Sequence, residues 1–366
     1  MKTAIAFPRR YVQGRGVLAE IDRQLAPLGR APLLLWGPRT RAAVGETVVE
    51  ALERAGLAWC EVGFGGECTR AEAARVAREA AESGADLLVA FGGGKAIDAG
   101  KGAAAQAGLP VAVIPTIASN DAPTSAVSVW YDESGACVGY DVWKHNPDLV
   151  LVDSAVIARA PGRTLAAGIG DALATWPEAQ AADRGGANAL AGGRPTRTAL
   201  TMARLCYDTL LADGLEALQD TARGEPGPAL ERVIEANVLL SGVGWESGGL
   251  ACAHAIANFL PWFSETHRFM HGEKVAFGLC CQLCLEQDRS QEEVLHLVDF
   301  MLALGLPVDL AGLGLADLDP ERLAAFSRLV AAEGSFVHNH PFAVGAEDVA
   351  RAVMAADALG RRRRAT

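Results

Sequence analysis

Along residues 1–152, short apolar runs alternate with stretches whose apolar positions recur at helical spacing. Residues 31–36 (APLLLW) form a continuous apolar run ended by Gly37-Pro38, the pattern of a strand buried on both faces. Residues 86–91 (DLLVAF) repeat it before Gly92-Gly93-Gly94, as do 111–114 and 149–152. Residues 57–62 read as a further strand and 5–7 as a short one. Between them, 17–28, 39–55, 69–83 and 95–107 carry helical periodicity. This alternation predicts a parallel sheet covered by helices on both faces. Residues 125–131 and 136–142 flank Asp132-Glu133-Ser134-Gly135, which predicts a hairpin with a four-residue turn.

After Ala160-Pro161-Gly162 the pattern changes. Helical stretches dominate at 165–182, 196–212, 228–241, 249–258, 275–286 and 292–304. The expected organisation is an α/β nucleotide-binding domain over 1–160, followed by an all-helical domain over 161–366. No internal repeat or low-complexity linker interrupts it.

Composition narrows the function classes. A chain of 366 residues that is 50% hydrophobic can bury two cores. The net charge is −11, and only five of the 33 basic residues are lysines, so no basic stripe for nucleic acid is expected. The one basic run, 361–364, reads as a solvated tail. No apolar stretch is long enough to span a bilayer and the N-terminus has no secretory signature, so a soluble cytoplasmic protein is expected. Cys281 and Cys284 form a CxxC without a second ligand cluster, and read as buried packing residues.

Two segments carry candidate chemistry. In VAFGGGKAIDAGKG, three glycines lie between a strand and a helix. There the backbone can approach a pyrophosphate and the helix N-terminus offers free N–H groups. The spacing matches neither GxGxxG nor a P-loop, so this signal alone is weak. In GIGDALATW, Asp171 is a lone acid among small and apolar neighbours. A buried carboxylate needs a partner. His254 in GGLACAHAIANF and His271 in HRFMHGEKVAFG are candidates, and one carboxylate with two imidazoles would make a three-ligand metal site with an open position. Convergence of the three helices cannot be read from spacing. For each histidine alone, a satisfied core imidazole is the stronger reading.

The chain resembles the glycerol dehydrogenases of the metal-dependent group III, or iron-containing, alcohol dehydrogenase superfamily. The resemblance rests on GGGKAIDAGK, PTIASNDAPTSAVSVWY, NPDLVLVDS, GIGDALATW, ARLCYDTLL, ANVLLSGVGWESGGLACAHAI and ETHRFMHGEKVAFG, in family order over nearly the whole chain. It implies the dehydroquinate synthase-like fold and a Zn²⁺ held by Asp171, His254 and His271. Iron-binding relatives carry an additional histidine; His267 falls near that place, which keeps Fe²⁺ in view. The implied reaction is hydride transfer from a metal-bound alkoxide of a small polyol, such as glycerol, to a nicotinamide lying between the domains. Carried over by resemblance, Gly93, Gly94 and Lys95 meet the pyrophosphate, with Asp98 in the same motif. Thr116 and Ser119 lie toward the adenine, Ser125, Val127 and Tyr131 toward the nicotinamide, and Asp121 contacts substrate and assists proton transfer. A homo-oligomer, often an octamer, is also implied.

Four departures bear on specificity. Where the family has an acid for the adenosine ribose, this chain reads Trp36-Gly37-Pro38-Arg39-Thr40; Gly37 lacks the carboxylate and Arg39 can meet a 2′-phosphate, so NADP is expected to serve as well as NAD. Phe259 ends HAIANF, where relatives have HAIHNG. Trp245 stands where Phe is common, and Asn120 replaces the usual Thr or Ser before Asp121. Trp245 and Phe259 thus become candidate substrate contacts, and a diol or hydroxyketone other than glycerol is an alternative substrate. A cyclase of the dehydroquinate synthase type would need more Lys and Arg around its phosphorylated substrate. A non-catalytic relative fits poorly with an intact ligand set. His338 and His340 in HNHPF are read as structural.

Overall fold

The computed structural model describes residues 2–133 and 135–365. Six parallel strands form the main sheet, in the order Tyr11–Gly14, Leu149–Asp153, Val111–Pro115, Leu87–Gly92, Pro32–Trp36, Cys60–Gly63. The four inner strands are buried along their whole length, because helices cover both faces. Val44, Val48 and Leu52 of the Thr40–Arg54 helix pack with Leu34, Val89 and Ile114 of the strands. The predicted hairpin is present as a separate antiparallel pair, Val127–Tyr131 with Cys137–Val142. Ser134, in its expected turn, lies outside the described residues.

The strand order reverses between Pro32–Trp36 and Leu87–Gly92. From the first of these the chain adds Cys60–Gly63 on one side, then Leu87–Gly92 on the other. At such a reversal the two following loops leave in opposite directions, and a crevice opens at the carboxyl ends of the strands. Gly37 and Gly92-Gly93-Gly94 are the residues that leave from those ends.

The chain forms two compact units, and their boundary is not a single cut near residue 160. The α/β unit comprises Ala6–Leu165 and Gln219–Gly242; the helical unit comprises residues up to Ile5, Ala166–Leu218 and the chain from Val243 onward. Within the α/β unit, the Pro228–Glu235 helix is tied to the edge strand by Glu231. Gln13 Nε2 donates to Glu231 Oε2 at 2.7 Å, and the Ser154 hydroxyl donates to Oε1 at 2.5 Å.

Several elements differ from expectation. Residues 5–7 are not a strand. Thr3–Ala4 pairs instead with Arg194–Pro195, so the helical unit carries a small two-stranded sheet. The stretch 165–182 breaks at Leu173-Ala174 into Gly162–Ala172 and Thr175–Gly185. Residues 228–241 widen into a π turn at Ala236–Leu240 before the Ser241–Gly248 helix. The basic run is not a solvated tail: it ends the Ala346–Arg364 helix. Arg363 forks onto Asp299 at 2.7 and 2.6 Å, and Arg364 reaches the buried Asp309 at 2.8 Å. These carboxylates lie far away in sequence, where charge patterning could not reveal them.

Candidate active site

In the helical unit, Asp171 lies near the end of the Gly162–Ala172 helix, His254 in the first turn of Cys252–Phe259, and His271 opens His271–Leu285. Backbone packing brings them together. A Cβ on Gly272 would lie 1.8 Å from the Ala167 carbonyl oxygen, and one on Gly278 would lie 2.2 Å from that of Ala253. Only glycine permits approaches this close, and each sets one imidazole beside its neighbour. Glu273 folds back to accept the Met270 N–H at 2.7 Å, which fixes the start of the helix at His271.

Asp171 is completely buried, and neither carboxylate oxygen has a hydrogen-bond partner. The Nε2 atoms of His254 and His271 both lie 3.5 Å from its Oδ1. One ligand atom from each of the three residues falls within 4.8 Å of the others. A buried carboxylate without a hydrogen bond is costly, and an oxygen facing two imidazole nitrogens is the donor set of a divalent cation. The residues therefore fit a metal ion. His267 does not join them: its Nε2 contacts the Pro261 carbonyl at 2.8 Å on the surface. His338 is exposed and bonds to helix-end carbonyls, and His340 is buried but is not one of the three clustered residues.

The two imidazoles differ in character. Burial lowers the pKa of His254, but the carboxylates of Glu178 and Asp171 outweigh it and hold the pKa well above the ordinary value. Burial lowers that of His271 to about 4, against the pull of Asp171, so its ring is a neutral donor at physiological pH. Glu178 was not legible in the sequence. It is wholly buried and reaches His254 Nδ1 at 2.5 Å. It lies seven positions after Asp171, but the helix break between them spoils any argument from periodicity.

In the α/β unit, Gly93 and Gly94 start the Gly94–Ala107 helix without a side-chain cap, leaving its first N–H groups for a ligand. Lys95 stands beside them, paired with Glu67 at 2.6 Å and 4.6 Å from the Tyr131 ring centre. Asp98 does not face the glycine loop. It is buried against Lys101 Nζ at 2.8 Å and accepts the Val129 N–H at 3.0 Å, because a carboxylate one turn into the helix points into the protein interior. Lys101 Nζ also donates to the carbonyls of Ala122, Ser125 and Val127, so this buried pair holds the segment carrying Ser125 and Val127. Thr116 and Ser119 are buried just beyond the Val111–Pro115 strand, and the Thr116 N–H donates to the Gly92 carbonyl. Asp121 is buried and accepts from the Ser241 hydroxyl at 2.9 Å. A Cβ on Gly94 would meet the Asn120 amide, which therefore packs directly on the glycine loop.

Gly37 donates its N–H to the Phe91 carbonyl at 2.8 Å, and a Cβ there would lie 2.9 Å from the same oxygen. Close packing at the strand reversal thus explains the missing side chain. Arg39 is exposed, makes no ion pair among the described residues, and is the one non-glycine residue there with a positive φ, 66°. Trp245 is buried with its indole N–H unpartnered. Phe259 ends the His254 helix, about 140° around its axis from His254.

The pattern that defines the iron-containing alcohol dehydrogenases matches residues 8–154. A glycerol dehydrogenase of Pseudomonas putida is 46% identical, over 98% of both chains. A glycolaldehyde reductase of Halobacterium salinarum is 40% identical, over 99% of both. The crystal structure of a probable glycerol dehydrogenase from Sinorhizobium meliloti superposes with a TM-score of 0.93 at 38% identity, covering 99% of this chain and 100% of that one. Full-length identity at this level, together with the shared fold, places the chain in the iron-containing alcohol dehydrogenase superfamily, within its glycerol dehydrogenase group.

Proposed function

We propose that the protein catalyses the reversible, NAD(P)-linked oxidation of glycerol to dihydroxyacetone, with Zn²⁺ held by Asp171, His254 and His271. The observation that carries this reading is the pair of unpartnered, buried Asp171 oxygens beside two imidazole Nε2 atoms. The relatedness to glycerol dehydrogenases along the whole chain supports it. A divalent cation bound there supplies Lewis acidity that lowers the pKa of the substrate hydroxyl. His271, neutral by burial, is ready to ligate without losing a proton. The uncapped N-terminus at Gly93-Gly94 binds the cofactor pyrophosphate, beside the sheet's strand reversal. Asp121, oriented by Ser241, carries the proton released from the alcohol.

Arg39 is exposed at the carboxyl end of its strand, with no acidic partner among the described residues, which favours acceptance of a 2′-phosphate and hence of NADP. A second substrate reading has its own support. Trp245 brings a buried, unpartnered N–H donor, and one relative is a glycolaldehyde reductase. A small hydroxyaldehyde therefore competes with glycerol for first place.

The test is nicotinamide reduction by zinc-loaded protein with glycerol, and the reverse reaction with dihydroxyacetone and glycolaldehyde, each with NAD(H) and NADP(H). Turnover abolished by a chelator and restored by zinc is expected. Asp171→Asn, His254→Ala and His271→Ala should each lose activity and bound metal together while keeping the far-UV circular dichroism of the parent. Full activity in any of the three would remove that residue from the site.

A further inference from the structure

We propose that Glu178 is a positioning residue for the metal: it fixes which nitrogen His254 presents and supplies the second of two buried negative charges that match a dication. The inference rests on the metal reading above and adds a residue that does not itself reach the cation.

Glu178 has no exposed surface. Its Oε1 accepts the backbone N–H of Ala251 at 2.8 Å and of His254 at 2.9 Å, and its Oε2 meets His254 Nδ1 at 2.5 Å. Among the described residues, its one ion-pair partner is His254. Asp171 is likewise buried, and its ion-pair contacts are His254 and His271. Two buried carboxylates thus share His254, and among the described residues no lysine or arginine pairs with either. Once a cation has displaced the proton from His254 Nε2, both imidazoles are neutral and the two carboxylates supply two negative charges, the balance for one divalent cation.

The hydrogen bonds also decide the tautomer. The carboxylate accepts on every side, so His254 Nδ1 must carry a proton, and Nε2, which faces Asp171, is the nitrogen that can give up its proton to present a lone pair to a cation. Glutamine has almost the same shape but cannot serve. With its amide nitrogen toward Nδ1, it requires an unprotonated Nδ1, which puts the proton on Nε2 where the cation would bind. Turned the other way, its amide nitrogen opposes the N–H groups of Ala251 and His254. Glu178→Gln therefore changes charge and tautomer while keeping volume. Glu178→Asp keeps the charge and the acceptors but shortens the reach.

The experiment is calorimetric titration of the metal-free protein with Zn²⁺, for the parent, Glu178→Gln and Glu178→Asp. Ligand-field spectra of the Co²⁺ forms and melting temperatures of the metal-free forms are recorded in parallel. The expected loss of Zn²⁺ affinity for Glu178→Gln is about 10- to 100-fold, with a shifted Co²⁺ spectrum and a metal-free melting temperature close to the parent's. Glu178→Asp should retain more affinity than Glu178→Gln. A structural role alone would reverse that order, because glutamine fills the space better; that result overturns the proposal, as does parental affinity in Glu178→Gln. Should Glu178→Gln fail to fold, Glu178→Asp decides: affinity within about tenfold of the parent supports the proposal, and a larger loss overturns it. If the parent itself binds no Zn²⁺, the metal reading fails and this inference falls with it; binding by the parent that Glu178→Gln leaves unchanged overturns this inference alone.

Discussion

His340 has a side chain closed off from solvent, and neither ring nitrogen has a hydrogen-bond partner. Burial lowers its pKa to about 4; Glu178 pulls upward, while Arg289 and Arg184 push down. The folded protein therefore keeps this ring neutral where an unfolded chain would protonate it. As pH falls from the ordinary histidine range toward 4, the unfolded state takes up a proton that the folded state refuses, and stability drops. The loss attributable to this residue is at most about 3 kcal/mol. Denaturant titrations between pH 7 and 4 should show a shallower acid limb in His340→Gln than in the parent, and parallel curves would refute the assignment. At this scale the sequence disclosed the acid that needed a partner, Asp171, since a lone carboxylate among small residues must reach either water or a cation. It did not disclose Glu178, whose partner His254 lies 76 positions away. Nor did it reveal that Asp98 faces inward: a motif gives spacing, and the Lys101 pairing depends on packing.

Among elements, the helix crossings at Gly272 and Gly278 and the buried Asp98–Lys101 pair matter most. A methyl at Gly272 would collide with the Ala167 carbonyl and lie 3.0 Å from the Asp171 Cβ. Gly272→Ala should cost about 1–3 kcal/mol of stability and weaken Zn²⁺ binding as well, since it moves His271 from Asp171. Urea unfolding and metal titration on one preparation would check both, and intact metal affinity would show that the crossing does not set the ligand spacing. Lys101→Met should cost about 3–5 kcal/mol, because it strands a buried carboxylate and three carbonyls. The double variant Asp98→Asn/Lys101→Met should recover part of that loss in the same unfolding assay. The four inner strands were legible from their apolar runs to within a residue, because inner parallel strands tolerate little that is polar, whereas the edge strand Tyr11–Gly14, which has no such run, was not. Helices that rely on partners distant in sequence were not. The Ala346–Arg364 helix holds four consecutive arginines, which look like a tail until Asp299 and Asp309 are seen to meet two of them.

At the scale of the whole molecule, the α/β plan followed from the alternation of patterns, whereas the membership of each unit did not. Nothing in the apolar pattern of Pro228–Glu235 says that its Glu231 will bind Gln13 and Ser154. A fragment spanning 6–165 lacks that helix and should show weak, non-cooperative thermal unfolding by circular dichroism. Fusing residues 219–242 to it through a flexible linker should sharpen the transition; no change would mean that the helix is dispensable to the sheet. The backbone passes from one compact unit to the other four times, so neither unit is a continuous piece of chain. On the ribosome, the sheet's last strand emerges well before the helix that completes its edge. At about 5–20 residues per second, that edge waits several seconds for its cover. The nascent chain is thus most open to wrong pairing midway through its own translation, and a slow codon stretch there would lengthen the exposure.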